Sequence, residues 1–382
     1  MKNLEIYMHV PFCVRKCGYC DFLSAPADRE TQEKYVHALE RELRGRAGEY
    51  GNYQVSTVFI GGGTPSVLGP ELMARLLDTM GSCYRILPEA EITMEANPGT
   101  MDYDALAQYL RAGVNRLSLG LQSSWDEELR ALGRIHTWQQ FLDAYEAAVA
   151  AGFTHINVDL MSGLSGQTLI SYEATLRRVA GLVPGPEHIS AYSLILEEGT
   201  AFARYHEAGK LQLPDEETER ELYELTERIL REYGYRRYEI SNYAKEGCEC
   251  RHNVGYWIRE NYLGFGIGAA SLVENVRFQN GSSLQAYLEA PLGQRQQEQR
   301  LTVEEQMEEY MFLGLRLTAG IGARSFYETF HCELEQVYGD VIKKHIAQGL
   351  LAYQGRETER YLHLTDRGLD LANYVMADFL IS

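Results

Sequence analysis

Short runs of aliphatic and β-branched residues alternate along this chain with longer stretches whose apolar positions recur every three or four residues. The short runs predict strands over 4–9, 55–60, 91–95, 116–120, 155–160 and 188–195. The longer stretches predict helices over 29–45, 70–83, 102–112, 126–151, 167–183 and 215–234. Strand and helix in strict alternation make βα units around a parallel sheet. Six units are too few to close an eight-stranded barrel, so the predicted fold class is α/β, a partial, open (β/α)6 TIM-like barrel.

Beyond residue 234 the alternation stops, and an aromatic-rich stretch runs over 235–265. The segment 279–300, QNGSSLQAYLEAPLGQRQQEQR, is polar and carries Gly, Pro and repeated Gln, so it reads as a linker. A second unit follows, with helices over 302–317, 323–330 and 334–348, two short strands over 350–353 and 361–364, and a last helix ending at Phe379. That order is winged-helix-like. The expected division is a barrel domain over 1–278, a linker over 279–300 and a winged-helix-like domain over 301–382.

Polar residues gather where the predicted strands end, which is where barrels of this kind carry their active sites. Cys13, Cys17 and Cys20, spaced C-x3-C-x2-C, follow the first strand, and Gly61-Gly62-Gly63-Thr64 follow the second. Glu95 ends the third, Gln122 follows the fourth and Asp159 ends the fifth. Three thiolates hold three irons of a [4Fe–4S] cubane and leave the fourth open to an outside ligand, whereas electron-transfer ferredoxins use four. A zinc site would need a fourth close ligand, and no second C-x2-C follows; His9 lies within the strand itself.

The chain has 382 residues, 45% hydrophobic and 24% charged, an ordinary globular composition. Its N-terminal stretch lacks the apolar core and cleavage site of a signal peptide, and no run of about 18 apolar residues is present. Seven clustered cysteines suit metal-bound thiols in a reducing compartment, so a cytoplasmic location is expected. A net charge of −18 speaks against nucleic acid as a partner, for the winged unit as well.

The strings Y-x-H-V-P-F-C-x3-C-x-Y-C-D-F and F-I-G-G-G-T-P-S closely resemble those of the radical S-adenosylmethionine (radical SAM) proteins. M-E-A-N-P, L-S-L-G-L-Q-S, L-G-R-I-H and N-V-D-L-M-S-G-L extend the resemblance towards the oxygen-independent coproporphyrinogen dehydrogenase branch. The resemblance implies a [4Fe–4S] cluster on Cys13, Cys17 and Cys20, with S-adenosylmethionine chelating the open iron. It implies that Gly62, Gly63 and Thr64 line the methionine end and that Arg134 pairs with the methionine carboxylate. Glu95 and Tyr7 would then lie beside the amine and the cluster, and Gln122 and Asp159 beside the ribose.

Two departures separate the chain from the porphyrinogen dehydrogenases it resembles. They carry a further cysteine two positions after the third ligand, where this chain has Phe22, and an N-terminal extension, where only 12 residues precede Cys13. The segment His252-Asn253-Val254-Gly255-Tyr256-Trp257 instead resembles the H-N-x-x-Y-W signature of heme-binding chaperones within the same family. A neutral imidazole is a common axial ligand of heme iron, which makes His252 the expected heme ligand. A buried turn histidine packed on Tyr256 and Trp257 is the structural alternative. Cys248 and Cys250 would be loop thiols, Cys83 and Cys332 helical core residues, and His136 and His155 structural.

The expected function is therefore a heme chaperone that passes heme to recipient proteins, respiratory enzymes among them. The alternative is radical oxidative decarboxylation of coproporphyrinogen III in porphyrin biosynthesis. The residues leave open whether S-adenosylmethionine is cleaved, whether the chain touches a membrane peripherally, and whether it dimerises.

Overall fold

The computed structural model describes residues 1–356 and 359–381. Six strands, β1 (Lys2–Val10), β2 (Tyr53–Gly62), β3 (Ile86–Ala96), β4 (Arg116–Gln122), β5 (His155–Ser162) and β6 (His188–Ser193), lie side by side in sequence order and all parallel. Helices α1 (Arg29–Arg46), α2 (Gly69–Cys83) and α3 (Tyr103–Arg111) return the chain after the first three strands. After β4 the return is made by α4 (Asp126–Leu132) and α5 (Trp138–Ala151), and α6 (Leu169–Ala180) follows β5. After β6 come α7 (Ala201–Glu207) and the long α8 (Glu216–Glu232).

Along β1 the side chains alternate in role. Leu4, Ile6, Met8 and Val10 are fully buried in a core shared with Tyr35, Val36 and Leu39 of α1. Glu5, Tyr7 and His9 occupy the alternate positions, as the two-residue period of a strand requires. The polar set therefore lines the barrel interior, and the apolar set holds the helices on.

One expected element divides in two. The stretch 126–151 is two helices because Gly133, with φ +81°, ends α4 in the left-handed region that a residue without Cβ adopts freely. The break leaves Arg134 between helices, where it can reach the barrel mouth.

The remaining strands extend the same sheet. After β7 (Arg236–Arg237) and β8 (Asn242–Ala244) on one side, α9 (Arg251–Trp257) crosses to β9 (Tyr262–Phe265), which pairs parallel with β1. Then β10 (Ala270–Val273), β11 (Val276–Asn280), α10 (Leu284–Glu289) and β12 (Arg295–Arg300) complete a sheet of 12 strands that does not close. The stretch expected to be a linker, 279–300, thus contributes the end of β11, a helix and an edge strand. The strand Arg295–Arg300 reads RQQEQR because an exposed edge has no face to bury and so shows no apolar alternation.

From residue 301 onward, α11 (Val303–Gly314), β13 (Ile321–Gly322), α12 (Ala323–Phe330), α13 (Leu334–Ala347), β14 (Leu351–Arg356) and β15 (Glu359–Leu364) form the expected winged arrangement. The last helix is two short ones, α14 (Asp366–Asp370) and α15 (Ala372–Ala377). A separate core of Met311, Phe326, Leu334, Leu362, Val375 and Phe379 holds this unit. No helix among the described residues is long and apolar enough to cross a membrane.

Candidate functional site: the barrel mouth and the barrel floor

The carboxyl ends of the strands surround a cavity of about 130 Å3 lined by Cys13, Cys17, Cys20, Gly62, Gly63, Thr64, Glu95, Gln122, Arg134 and Asp159. Ten of the eleven residues expected at the cofactor are brought together there. The exception is Tyr7, which sits a layer deeper: its hydroxyl meets His9 Nδ1 at 3.0 Å and its ring lies against Phe59.

The cysteine loop is anchored from several sides. The Cys13 amide donates to the Ala25 carbonyl, the Gly18 amide to the Leu132 carbonyl, and the Cys20 amide to Cys17 in a tight turn. His9 Nε2 donates to the Leu23 carbonyl at 2.8 Å, since a carbonyl only accepts, so Nδ1 accepts from Tyr7. Facing the loop, Gly63 runs so close to it that a Cβ there would lie 2.4 Å from the Phe12 carbonyl oxygen. The glycine run thus lets the second strand end abut the cysteine loop, besides leaving backbone open to a ligand.

Two residues absent from the expected set complete the mouth. Asn97 donates from Nδ2 to Thr64 Oγ1 at 2.7 Å and accepts from Arg134 Nη2 at 2.6 Å. Arg134 also donates to the Gly120 carbonyl and reaches Cys17 Sγ at 3.9 Å, while its buried Nε has no partner among the described residues. Tyr192 donates to Gln122 Oε1 at 2.8 Å and so fixes a residue whose φ is +77°. The dipeptide Asn97-Pro98 at a strand end was the available signal for Asn97; Tyr192 had none.

Burial sets the charges here. Glu95 is pushed up to about 8 by burial and by the nearby charge of Asp159, although the Gly62 amide at 3.0 Å from Oε2 pulls the other way. Asp159 is raised by burial as well, while Asn157 (2.7 Å) and Ser118 (3.1 Å) stabilise its charge.

The donor set fits a cubane and S-adenosylmethionine. Three free thiols share the cavity, yet among the described residues no three His, Cys, Asp or Glu side chains converge tightly enough to hold one ion. A tetrahedral zinc needs that convergence, whereas a cubane asks each thiolate to reach a different iron. The unpartnered Arg134 Nε and the buried carboxyl of Glu95 give an amino acid's carboxylate and amine something to meet.

His252, the expected heme ligand, lies at the other end of the barrel from the thiols. Its ring is 1% exposed and stacks on Phe59 at 5.3 Å, with Nδ1 bonded to Thr57 Oγ1 (2.7 Å) and Nε2 to the Tyr256 hydroxyl (3.0 Å). Burial lowers it to about 3. Both nitrogens are occupied, so neither is available to iron in this geometry; His252 is a bonded core histidine. Glu91 fixes the helix that carries it, accepting from the amides of Arg251 (3.2 Å) and His252 (3.1 Å). Trp257 of the same segment lies under Arg316 at 4.3 Å, joining the barrel floor to the winged unit.

Of the other residues, Cys250 is buried against Glu91, and Cys248 is partly exposed. Cys83 and Cys332 pack beside the two cores, Cys332 in the connection between α12 and α13 rather than in a helix. His136 is buried on the Leu121 carbonyl, as expected of a structural residue. His155 is not buried: its side chain is 52% exposed.

Residues 7–179 match the radical SAM superfamily and residues 301–371 the HemN C-terminal domain. The chain is similar to the heme chaperone HemW of Bacillus subtilis, 37% identical over 98% of each chain. It is similar to the heme chaperone HemW of Lactococcus lactis, 37% identical over 100% of this chain and 98% of that one. In fold it is similar to the coproporphyrinogen III oxidase HemN of Escherichia coli, with a TM-score of 0.86 at 23% identity, covering 100% of this chain and 90% of that one.

Proposed function

The chain belongs to the HemW family of radical SAM proteins, and from that premise we propose that it is a heme chaperone whose core carries a [4Fe–4S] cluster and S-adenosylmethionine. The observation that carries the reading is identity of 37% along essentially the full length of chaperones of that name. The mouth supports the cofactor assignment independently, because residues from five strand ends line one small cavity with the three thiols.

Cys13, Cys17 and Cys20 would hold three irons. When bound, the cluster supplies one electron at a time and an open iron for the methionine amine and carboxylate. Arg134 would meet the methionine carboxylate with the guanidinium edge that Asn97 and Gly120 do not use. Glu95 holds a proton up to about pH 8, and with Oε2 fixed by Gly62 its Oε1 is the atom placed to meet the methionine amine. Asp159 and Gln122 face the same cavity and would take the ribose hydroxyls, Gln122 oriented by Tyr192. Tyr7 acts from below, holding the His9 ring that steadies the cysteine loop.

Heme and heme-recipient proteins are the partners this reading assigns, with work in the cytoplasm or at its membrane face. The test is transfer: cluster-containing protein loaded with hemin is mixed anaerobically with an apo heme protein, and the acceptor's Soret band should rise faster than with the same hemin supplied on albumin. Turnover of coproporphyrinogen III to protoporphyrinogen IX with reductant and S-adenosylmethionine, without heme transfer, would overturn it.

A further inference from the structure

At the end of the barrel opposite the thiols, the amino ends of β1 to β5 and residues 247–260 enclose a second cavity of about 790 Å3. That volume falls within the roughly 300–1,000 Å3 of cofactor sites, whereas the mouth offers about 130 Å3. Leu110, Val254 and Ile258 give the cavity apolar walls, and Ile258 is 49% exposed, so it opens to solvent. Val254 and Gly255 come from the H-N-V-G-Y-W string, which therefore builds a wall of the cavity while its histidine is occupied in the core.

Arg116 and His155 are register partners across β4 and β5, and both line this cavity. His155 meets Glu187 Oε2 through Nδ1 at 2.6 Å. The carboxylate accepts, so Nδ1 carries a proton, and in the neutral ring the lone pair is on Nε2; among the described residues no protein group bonds Nε2. A carboxylate-held imidazole with its outer nitrogen free is the arrangement that metal-ligating histidines adopt. Arg116 is 3% exposed, and its Nη2 has no hydrogen-bond partner among the described residues. A buried unpaired guanidinium nitrogen is costly unless a ligand meets it, and it suits a carboxylate. Arg251 adds a second guanidinium to the wall.

The acidic side chains around the cavity leave Arg116 Nη2 unengaged, although Glu91 pairs with Nη1 of the same guanidinium. Glu91 is engaged by the α9 amides and lies 3.9 Å from Arg116, and burial drives Glu5 and Glu260 towards the neutral acid. Glu89 and Glu249 stand nearer the solvent edge. An apolar wall, an oriented imidazole and two guanidiniums together match an iron porphyrin, which has a flat apolar ring, a metal seeking an axial nitrogen and two propionates.

Resting on the heme-chaperone reading, the geometry points to a cargo site for heme at the barrel floor, in which His155 Nε2 ligates the iron and Arg116 and Arg251 pair with the propionates. Hemin titration of the cluster-containing full chain, followed by Soret difference spectra and EPR of the ferric heme, tests it. Wild type should bind one hemin with a nitrogen axial ligand. His155→Ala should weaken binding by about tenfold or more and lose the nitrogen signature, and added imidazole should restore it. His363→Ala, at the cavity of about 840 Å3 beside the wing, should leave both unchanged. Unaltered affinity and spectrum in His155→Ala, or an effect confined to His363→Ala, overturns the site and leaves the chaperone reading standing. A wild type that takes up no hemin overturns both.

Discussion

Arg134 Nη2 and Asn97 Oδ1 meet at 2.6 Å, and through this contact the break between α4 and α5 is tied to the end of β3. Asn97 passes the connection on to Thr64, and Arg134 passes it to Cys17, so the cysteine loop and the glycine loop share one polar frame.

Arg134→Lys should expose that frame's function. A lysine is a single point donor and cannot span Asn97, the Gly120 carbonyl and the Cys17 sulfur together. Binding of S-adenosylmethionine, measured by calorimetry on reconstituted protein, should weaken by about tenfold, while iron and sulfide contents stay at the wild-type level.

Gly63→Ala should act on the cluster itself. The added methyl group would lie 2.4 Å from the Phe12 carbonyl oxygen, so the backbone just ahead of Cys13 must move. Reconstituted iron and sulfide should fall well below wild type, with the fold retained by circular dichroism.

Glu95→Gln tests the raised carboxyl. Below about pH 4.5 both folded and unfolded chains hold the proton; as pH rises towards about 8 the unfolded chain sheds it first, so folding stability falls across that window. In protein free of S-adenosylmethionine, urea unfolding at roughly pH 5 and pH 8.5 should show wild type losing on the order of 2 kcal/mol more than the variant. Equal losses would place Glu95 in a more solvated setting.

His252→Ala should behave as a core mutation. It removes a ring stacked on Phe59 and leaves Thr57 and Tyr256 without their partner. A loss of about 2–4 kcal/mol in denaturant unfolding is expected, with the nitrogen-ligated hemin spectrum kept by the fraction that stays folded.

Glu309→Ala tests the seam between the two cores. Its carboxylate pairs with the buried Arg259 at 3.0 Å and with Arg277 at 2.7 Å. Stranding the Arg259 guanidinium should cost about 3–5 kcal/mol, and scanning calorimetry should show the winged unit melting at lower temperature than the barrel.

What was readable in the residues was whatever depends on near neighbours in sequence. The spacing of Cys13, Cys17 and Cys20, the glycine run after β2 and the short β-branched runs between helical stretches are local properties. They led to the six βα units, the mouth and nine residues of its lining, to which the family resemblance added Arg134. The edge strand Arg295–Arg300 was unreadable because a strand with no buried face carries no alternation.

Tertiary structure alone decided the histidines. His252 stands between Arg251 and Asn253 and His155 between Thr154 and Ile156, and nothing in those flanking residues separates a ring sealed by Thr57, Phe59 and Tyr256 from one held by Glu187 at a cavity wall. The difference arises from Thr57, 195 positions from His252, and from Glu187, 32 positions from His155. Burial and hydrogen bonding are settled by what the fold places around a side chain, and that neighbourhood exists only once the sheet has assembled.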